Sequence, residues 1–459
     1  MRLPLVLLLV LTLIAVAGPA LAHTAGDATV ETRVVMPAWV AWGAGALVVA
    51  LSFALVGVFV GREPRFGHGA PLPAVDGVFG RAGGVPVGQV VGFAFLAATI
   101  AGLVFPAAPL PNVLVWLVVW AGLATAAYTM GDVWPRIDPF RLIGRATAAF
   151  RGGPAPFRYP AWLGSWPAVL LFLGIVGLEV TGPLGHSGGT LAWSVGMYTL
   201  LVLAGMLLFG EERWLAEAEV LGRTFRWWAA ASPFRREDGR LRVGVAGARL
   251  DALPVIGVSD VAFTLAVLYG VNHDAFSNGP PGAAARGMMA GHVVEPWSSL
   301  VLLAGGYLLF LVVFFLCAAW MRRMSGTLLP TGTVAARFVA ALVPIAVGYH
   351  LAHNLPRYLT EAPLLLAALS DPFAQGWDVL GTAHWTTLAL SSDTWGWLGY
   401  FAVFAILVGH VLAVVAAHRL AVRLFPSRVQ ALKAEVPLTV VMVFYTLVGL
   451  WLVSAGGSA

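Results

Sequence analysis

Apolar residues occur along this chain in long blocks that are separated by shorter polar segments. Beyond the first block, ten of them are about long enough to cross roughly 30 Å of hydrocarbon as helices. They lie near residues 38–60, 88–105, 112–130, 162–181, 189–209, 253–271, 297–320, 334–355, 395–417 and 436–455. Because a membrane-spanning backbone must satisfy its own hydrogen bonds, the pattern predicts an all-α fold, a polytopic bundle of about ten transmembrane helices.

The first block, residues 1–22, has the pattern of a secretory signal peptide. Arg2 precedes an apolar stretch, and Ala20-Leu21-Ala22 fits the small-x-small cleavage rule. Cleavage would leave residues 23–459 as a single ten-helix domain; the alternative is an uncleaved first helix. Cleavage would also make His23 the N-terminal residue, with an α-amine and a ring nitrogen for one ion. Copper-binding histidine-brace sites use that arrangement.

The composition agrees with a membrane protein. Of the 459 residues 59% are hydrophobic and 11% are charged, whereas soluble chains carry about 25% charged residues. The single cysteine, Cys317, lies inside an apolar block. Disulfides within the chain and cysteine-based zinc or iron–sulfur sites are therefore excluded.

The basic residues predict the orientation of the helices. If the mature N-terminus lies outside, all but four of the 27 lysines and arginines fall in cytoplasmic loops. The exceptions are Arg2 in the signal and Arg33, Arg286 and Arg357 outside. This bias predicts a multi-pass protein of the cell (plasma) membrane, in contact with lipid, with both termini outside. No separate basic domain indicates a nucleic acid partner, and no phosphate-binding loop indicates a nucleotide-driven machine.

Three loops are long enough to have structure of their own. The cytoplasmic loop 210–252 contains an amphipathic stretch, Glu211 to Trp228, which predicts a helix lying on the inner membrane surface. The outer loops are 272–296 and 356–394. Within the second, Leu359 to Leu369 is a short helix or a re-entrant piece in this interpretation.

The sharpest candidate for chemistry is a histidine pair at the outer end of one predicted span. His350 and His353 are three residues apart on a helix, so they share a face and are candidate ligands of one zinc or copper ion. Other helices or loops would have to complete the ligand shell. The candidates for completion are His384, Asp371, Asp378, Asp393, His273, Asp274 and His23. The alternative is that both imidazoles are interfacial side chains without a metal.

Three ionisable residues fall inside apolar blocks and need a partner there. His410 lies in a wholly apolar surrounding, and Asp260 and Glu179 are its candidate partners from other helices. Such residues are candidates for function, and the alternative is a structural hydrogen bond. Haem ligation by His353 and His410 is a lesser interpretation, because at 1.5 Å per residue their depths differ by roughly 20 Å.

Several stretches resemble bacterial multi-pass membrane proteins that carry the name fenitrothion hydrolase. They are Ser370 to Thr382 (SDPFAQGWDVLGT), Gly409 to His418 (GHVLAVVAAH) with Leu424-Phe-Pro after it, Pro344 to Tyr349 (PIAVGY), Ala352-His353 and Gly205 to Gly210 (GMLLFG). A histidine directly after an alanine-ending signal also fits. The resemblance spans most of the chain and is strongest between residues 340 and 430. His350 and Asn354-Leu-Pro depart from it.

The resemblance implies cleavage of an organophosphate ester, which commonly uses a metal-activated hydroxide. The matched positions are His353, Asp371, Asp378 and His410. Asp371 or Asp378 would orient a ligand histidine or act as a base. Two other classes remain open. In one, the chain carries a metal ion such as copper, or a small molecule, coupled to protons through His410 and Asp260. In the other, it is a structural or assembly protein of the membrane.

Overall fold

The computed structural model describes residues 38–59, 70–71, 85–182, 188–237, 240–253, 255 and 257–455. Of the described residues, 77% are helical and almost none lie in strands. The predicted signal 1–22 and His23 lie outside the described residues. The all-α class predicted from the apolar blocks is therefore what the described chain shows.

Fifteen helices are numbered here along the described chain. They are α1 (Ala38–Phe59), α2 (Val85–Ile100), α3 (Leu110–Met130), α4 (Pro139–Arg151), α5 (Trp166–Val180), α6 (Gly188–Phe209), α7 (Glu211–Glu217), α8 (Val220–Ala229), α9 (Val258–Asn278), α10 (Pro280–Met289), α11 (Trp297–Ser325), α12 (Thr331–Phe338), α13 (Val343–Ser370), α14 (Ser392–Leu424) and α15 (Arg428–Ala455). The middle of α3, Val113–Leu123, is wound as a π-helix. Short 3₁₀ turns follow α2 and join α12 to α13.

Each of the ten predicted spans falls on a helix, and six spans are long and apolar enough to cross a membrane. The six are Leu110–Met130, Gly188–Phe209, Trp297–Ser325, Thr331–Ser370, Ser392–Leu424 and Arg428–Trp451. Three shorter apolar helices, Gly43–Gly57, Val87–Leu103 and Trp166–Val180, accompany them. On α11, Leu308, Leu309 and Leu316 are about 60% exposed, as expected of side chains that face lipid. The number ten itself stays a prediction.

The chain forms two compact units. The first contains Met1–Phe66, Gly247–Leu355 and Leu390–Ala459, and the second contains Gly67–Ala246 and Pro356–Ala389. Helix α13 passes from the first to the second at Pro356 and continues to Ser370 without a break. The residues after the predicted span, including Leu359 to Leu369, are therefore a continuation of the same helix.

Two glycines let the backbones of α13 and α14 approach closely in the first unit. A Cβ on Gly348 would lie 2.6 Å from the carbonyl oxygen of Ala405, and one on Gly409 would lie 2.5 Å from that of Pro344. Only a residue without a side chain fits either position, as in other close helix crossings in membranes. This contact sets the register of α13 against α14.

The second unit contains a small antiparallel sheet of β1 (Ala70–Pro71), β2 (Phe234–Glu237) and β3 (Arg240–Val243) in the order β1-β3-β2. The register pairs Val243 with Ala70 on one side and with Phe234 on the other. One core of this unit joins Phe140, Val202, Met206 and Trp214.

The stretch Glu211 to Trp228 differs from the single surface helix that its pattern predicts. It forms two helices, α7 and α8, and the carboxylate of Glu219 caps α8 by accepting hydrogen bonds from Leu221 N and Gly222 N. Arg223 is buried and pairs with Glu217 at 3.4 Å. Helix α8 is packed into the protein, with Arg223, Phe225 and Trp228 buried.

Candidate functional site

His410 is a completely buried ionisable group of the first unit. It lies near the middle of α14, and its side chain is completely buried. Its Nδ1 is 2.9 Å from the carbonyl oxygen of Ile406, one turn earlier. A carbonyl only accepts, so Nδ1 carries a proton and donates it. In the neutral ring, Nε2 then has a free lone pair, and among the described residues this atom has no hydrogen-bond partner.

Two tyrosines frame the imidazole of His410. The ring of Tyr349 from α13 is 6.2 Å away at 75°, and that of Tyr445 from α15 is 6.2 Å away at 45°. The two tyrosine rings are 6.0 Å apart. These three residues are called the His–Tyr cluster below. It places one imidazole and two phenols at the meeting point of three helices.

The hydroxyl groups of the cluster have different surroundings. That of Tyr445 accepts a hydrogen bond of 2.7 Å from Asn272 Nδ2 of α9. That of Tyr349 has no hydrogen-bond partner within the described chain and lies against Gly449. A buried polar atom without a partner costs roughly 1–3 kcal/mol. The cluster therefore has two buried polar atoms, Tyr349 Oη and His410 Nε2, without a hydrogen-bond partner among the described residues.

Next to the cluster, α9 contributes a second buried histidine. His273 is 1% exposed, and its Nδ1 is 2.9 Å from the hydroxyl of Tyr269. That hydroxyl is also 3.3 Å from the carbonyl oxygen of Leu302. Tyr269 stacks near Phe310, whose ring is 5.5 Å from Tyr445. The polar groups of α9 therefore connect through aromatic contacts to the His–Tyr cluster.

The predicted histidine pair on α13 is divided between two environments. His350 is 1% exposed, whereas His353 is exposed. Positions three apart on an α-helix differ by about 60° around its axis, which is enough to separate a core face from a surface face. Asn354 is buried and donates to the carbonyl oxygen of His350 at 2.9 Å. The structure therefore buries His350 and leaves His353 on the surface.

A second buried ionisable pair lies further along α14 and α15. Nδ1 of His418 is 3.0 Å from Oε1 and 3.2 Å from Oε2 of Glu435, and both side chains are at most 1% exposed. The neighbouring Arg419 lies 3.6 Å from the carboxylate of Asp251, which also contacts Arg423. Every one of these groups belongs to the first unit.

The two predicted intramembrane carboxylates have other positions. Asp260 is buried at the start of α9, where its Oδ2 accepts a hydrogen bond of 3.0 Å from Gly257 N and so caps the helix. Glu179 is half-buried at the last turn of α5, in the second unit. The contacts of the His410 ring are with Tyr349 and Tyr445.

The predicted catalytic carboxylates organise the loop after α13, in the second unit. The carboxylate of Asp371 accepts hydrogen bonds of 2.8 Å from both Gln375 N and Gly376 N. Asp378 Oδ1 accepts from Ala383 N at 2.9 Å and from Ser370 Oγ at 2.7 Å. These bonds, the Ala383 amide first, hold the pKa of Asp378 below its usual value.

His384 is exposed on the same loop, and its charge also favours the ionised form of Asp378. No group of three or more His, Cys, Asp or Glu side chains in the described ranges could hold a metal ion. The structure therefore does not bring the described candidate ligands for zinc or copper together in such a group. These candidates are His273, His350, His353 and His384, and His23 lies outside the described ranges.

Sequence reasoning missed Tyr445, Asn272 and Glu435. Glu435 could have been found, because it is a carboxylate at the edge of an apolar block. Consecutive helices with a short connection pack antiparallel, so residues equally far from the turn at 425–427 meet. His418 and Glu435 satisfy that rule. Tyr445 carries no such signal, since aromatic residues are common throughout membrane helices.

The second unit has its own pair of buried carboxylates. Asp138 caps α4, with Oδ1 accepting from Phe140 N at 2.9 Å, and Glu219 caps α8 and accepts a 2.6 Å hydrogen bond from Tyr198. Burial, and then the charge of Glu219, raises the pKa of Asp138 to about 7. Burial also raises the pKa of Glu219. Both carboxylates lie at helix starts outside the membrane-spanning segments.

Comparison with known proteins gives no further information on the function of the chain. No protein-family model, no curated protein and no solved structure matches the chain.

Proposed function

We propose that this protein is a proton-coupled carrier of the membrane, in which His410 binds the coupling proton. The single observation that carries the proposal is the imidazole of His410, which is completely buried and whose Nε2 has no hydrogen-bond partner among the described residues. Ionisable residues at membrane depth are costly and typically mark ion or proton pathways. A purely structural role would favour a satisfied hydrogen bond at this position.

The chemistry of the His–Tyr cluster supports proton binding. Nδ1 of His410 already donates to Ile406, so an arriving proton forms an N–H bond at Nε2 and the ring becomes an imidazolium. The rings of Tyr349 and Tyr445, each centred 6.2 Å from the imidazole, then lie close to the charge. A charge in this position is stabilised only if water or a substrate reaches it. Coupling of proton and substrate would follow from that requirement.

The proposal is tested by the protonation state of His410 itself. Solid-state ¹⁵N NMR of the histidine-labelled full chain in liposomes reports whether Nε2 is protonated, and His410→Gln assigns the signal. The matched control is His292→Gln, which removes an exposed histidine of the same unit. We expect the His410 signal to titrate while the protein stays folded. A ring that stays neutral over the whole folded pH range would contradict the proposal.

The substrate class is a small molecule or a metal ion, and transport assays narrow it. Liposomes with an entrapped pH dye would be challenged in turn with Cu²⁺, Zn²⁺, inorganic phosphate and dimethyl phosphate. We expect proton movement with at least one class of compound in the wild type and in His292→Gln, and loss of that movement in His410→Gln. Equal movement in all three proteins would count against a role of His410 in coupling.

Metal-assisted hydrolysis is the second candidate, favoured by one observation. Asp371, Asp378 and His384 share one solvent-accessible loop, where a soluble ester could reach them. Elemental analysis of the purified protein beside His350→Ala/His353→Ala tests the metal. Zinc or copper near one per chain, lost in the variant, would support a metal site. Phosphate-ester hydrolysis that Asp371→Asn abolishes would support the enzyme.

A further inference from the structure

The His418–Glu435 pair has no evident structural need. Both side chains are at most 1% exposed, and they contact each other across α14 and α15 at 3.0 Å. Replacing a buried ion pair by apolar residues of similar volume is often neutral or stabilising. A pair retained at such a place is therefore better explained by what it does than by the stability it adds.

The pair and the His–Tyr cluster are two polar layers on the same two helices. Counting from His418 to His410 covers eight residues of α14, or about 12 Å at 1.5 Å per residue. Glu435 and Tyr445 are ten residues apart on the antiparallel α15. Val414 on α14 and Met442 on α15 occupy the interval and are at most 2% exposed. The two layers are thus separated by apolar packing, and each can hold a proton independently.

The net charge of the pair is balanced both when it holds a proton and when it has lost one. With one proton shared, an imidazolium faces a carboxylate or two neutral groups face each other, and the pair has no net charge. When the proton leaves, Glu435 remains as an anion, and the excess positive charge of Arg419 and Arg423 around Asp251 is close along α14. Burial disfavours a lone anion, and nearby arginines oppose that effect.

Several charged residues of the elements packed around the pair are exposed, including Arg322 and Arg323 of α11, whereas Asp260 at the start of α9 is buried and caps that helix. On α15, Lys433 and Arg428 are exposed, and Arg428 donates to the carbonyl oxygen of Gly57 at 2.6 Å. On α12, Arg337 is exposed. Helix α1 has no ionisable residue. Arg419 and Arg423, which both contact Asp251, are the charged residues that follow His418 along α14.

We propose that His418 and Glu435 form a second proton site, which exchanges protons between His410 and the arginine-rich, predicted cytoplasmic end of the bundle. The inference rests on the proposed proton binding at His410. In one transfer, a proton from water on that side adds to the pair as an N–H or O–H bond. It later leaves for Nε2 of His410 through water that enters the apolar interval. No other reactant is needed.

Time-resolved infrared spectroscopy after a pH jump tests this site on the full chain in liposomes. The His410 band is the one lost in His410→Gln, and the Glu435 band is the carboxyl band lost in Glu435→Gln. The introduced amide can still accept a hydrogen bond from His418, which favours folding. His418→Gln is a second variant for the same step. The matched control is Glu361→Gln, which removes a partly exposed carboxylate paired with Arg357 at 3.5 Å.

We expect a Glu435 band on acidification of the wild type, and a His410 band that develops about tenfold more slowly in Glu435→Gln and His418→Gln but normally in Glu361→Gln. Unchanged His410 kinetics in both variants, or no Glu435 band, would overturn the second site while the proposed function stands. A wild type that shows the Glu435 band and no His410 band would overturn the proposed function and, with it, the exchange route.

Discussion

The rings of Tyr349 and His410 are 6.2 Å apart at 75°, and each residue has one buried polar atom without a hydrogen-bond partner in the described chain. Gly348 and Gly409 produce this relationship, because they allow α13 and α14 to approach until carbonyl oxygens touch the Cα positions. Tight packing thus coexists with unsatisfied polar atoms. Such a combination is expected where a site is built for a partner that enters from outside.

The first prediction concerns the stability of His410→Leu. The imidazole loses hydration at Nε2 without a compensating bond, so an apolar side chain of similar size should leave the free energy of unfolding unchanged or raise it by about 1 kcal/mol. Thermal unfolding of the purified protein in mild detergent measures this. A loss of several kcal/mol would show that the imidazole has a structural partner. The same variant should lose every proton-coupled signal described above.

The second prediction compares two buried tyrosines of the first unit. Tyr307 Oη donates to the carbonyl oxygen of Ala262 at 2.8 Å, whereas Tyr349 Oη has no partner in the described chain. Tyr307→Phe should therefore destabilise by about 0.5–1.5 kcal/mol, and Tyr349→Phe should be neutral or stabilising. Both variants lose the same atom, so their difference in melting temperature isolates the hydrogen bond. Equal losses would mean that the Tyr349 hydroxyl is bonded in solution.

The third prediction tests the close crossing of α13 and α14. In Gly409→Ala the new methyl group would lie 2.5 Å from the carbonyl oxygen of Pro344 and 3.3 Å from its carbon, so the helices must move apart. Such overpacking costs roughly 1–3 kcal/mol. Gly396→Ala on the same helix is the control, because nothing lies within 4 Å of its Cβ position. It should be neutral or slightly stabilising, through alanine's higher helix propensity.

His410 shows which features of the candidate site could be predicted from the sequence. Hydropathy predicted a helical membrane protein, and it placed this histidine inside an apolar helix, because both properties depend on local composition. Its neighbours could not be found in that way. Tyr349 and Tyr445 meet it only through the register of three helices, which depends on glycine contacts that hydropathy does not encode. Asp260 was a reasonable candidate by residue type, yet its carboxylate caps α9.

The histidine pair His350 and His353 also shows what residue spacing cannot predict. Spacing gives the angle between His350 and His353, but it does not tell which direction is the interior. The structure buries the first and exposes the second. The loop carboxylates Asp371 and Asp378 were chosen for their chemistry, and each accepts two hydrogen bonds that shape the loop. Short polar side chains in loops serve that role often.

The last prediction is a pH dependence in the second unit. Burial, with the charge of Glu219, raises the pKa of Asp138 to about 7, above its unfolded value. The folded state therefore binds this proton more tightly than the unfolded state, and stability falls as pH rises through the interval between the two values. Above the folded value the penalty is constant. Asp138→Asn keeps the cap, since an amide oxygen can still accept from Phe140 N.

The variant should therefore be more stable than the wild type at about pH 8. Its free energy of unfolding should also change less with pH between about pH 5 and 8. In that range one proton changes this free energy by at most about 1.4 kcal/mol per pH unit. Unfolding measured across this range checks it, and Glu212→Gln, which alters an exposed carboxylate of the same unit, should follow the wild-type profile. Parallel profiles for Asp138→Asn and the wild type would mean that Asp138 is ionised throughout. Its burial would then be compensated by Arg141, which lies 3.5 Å away.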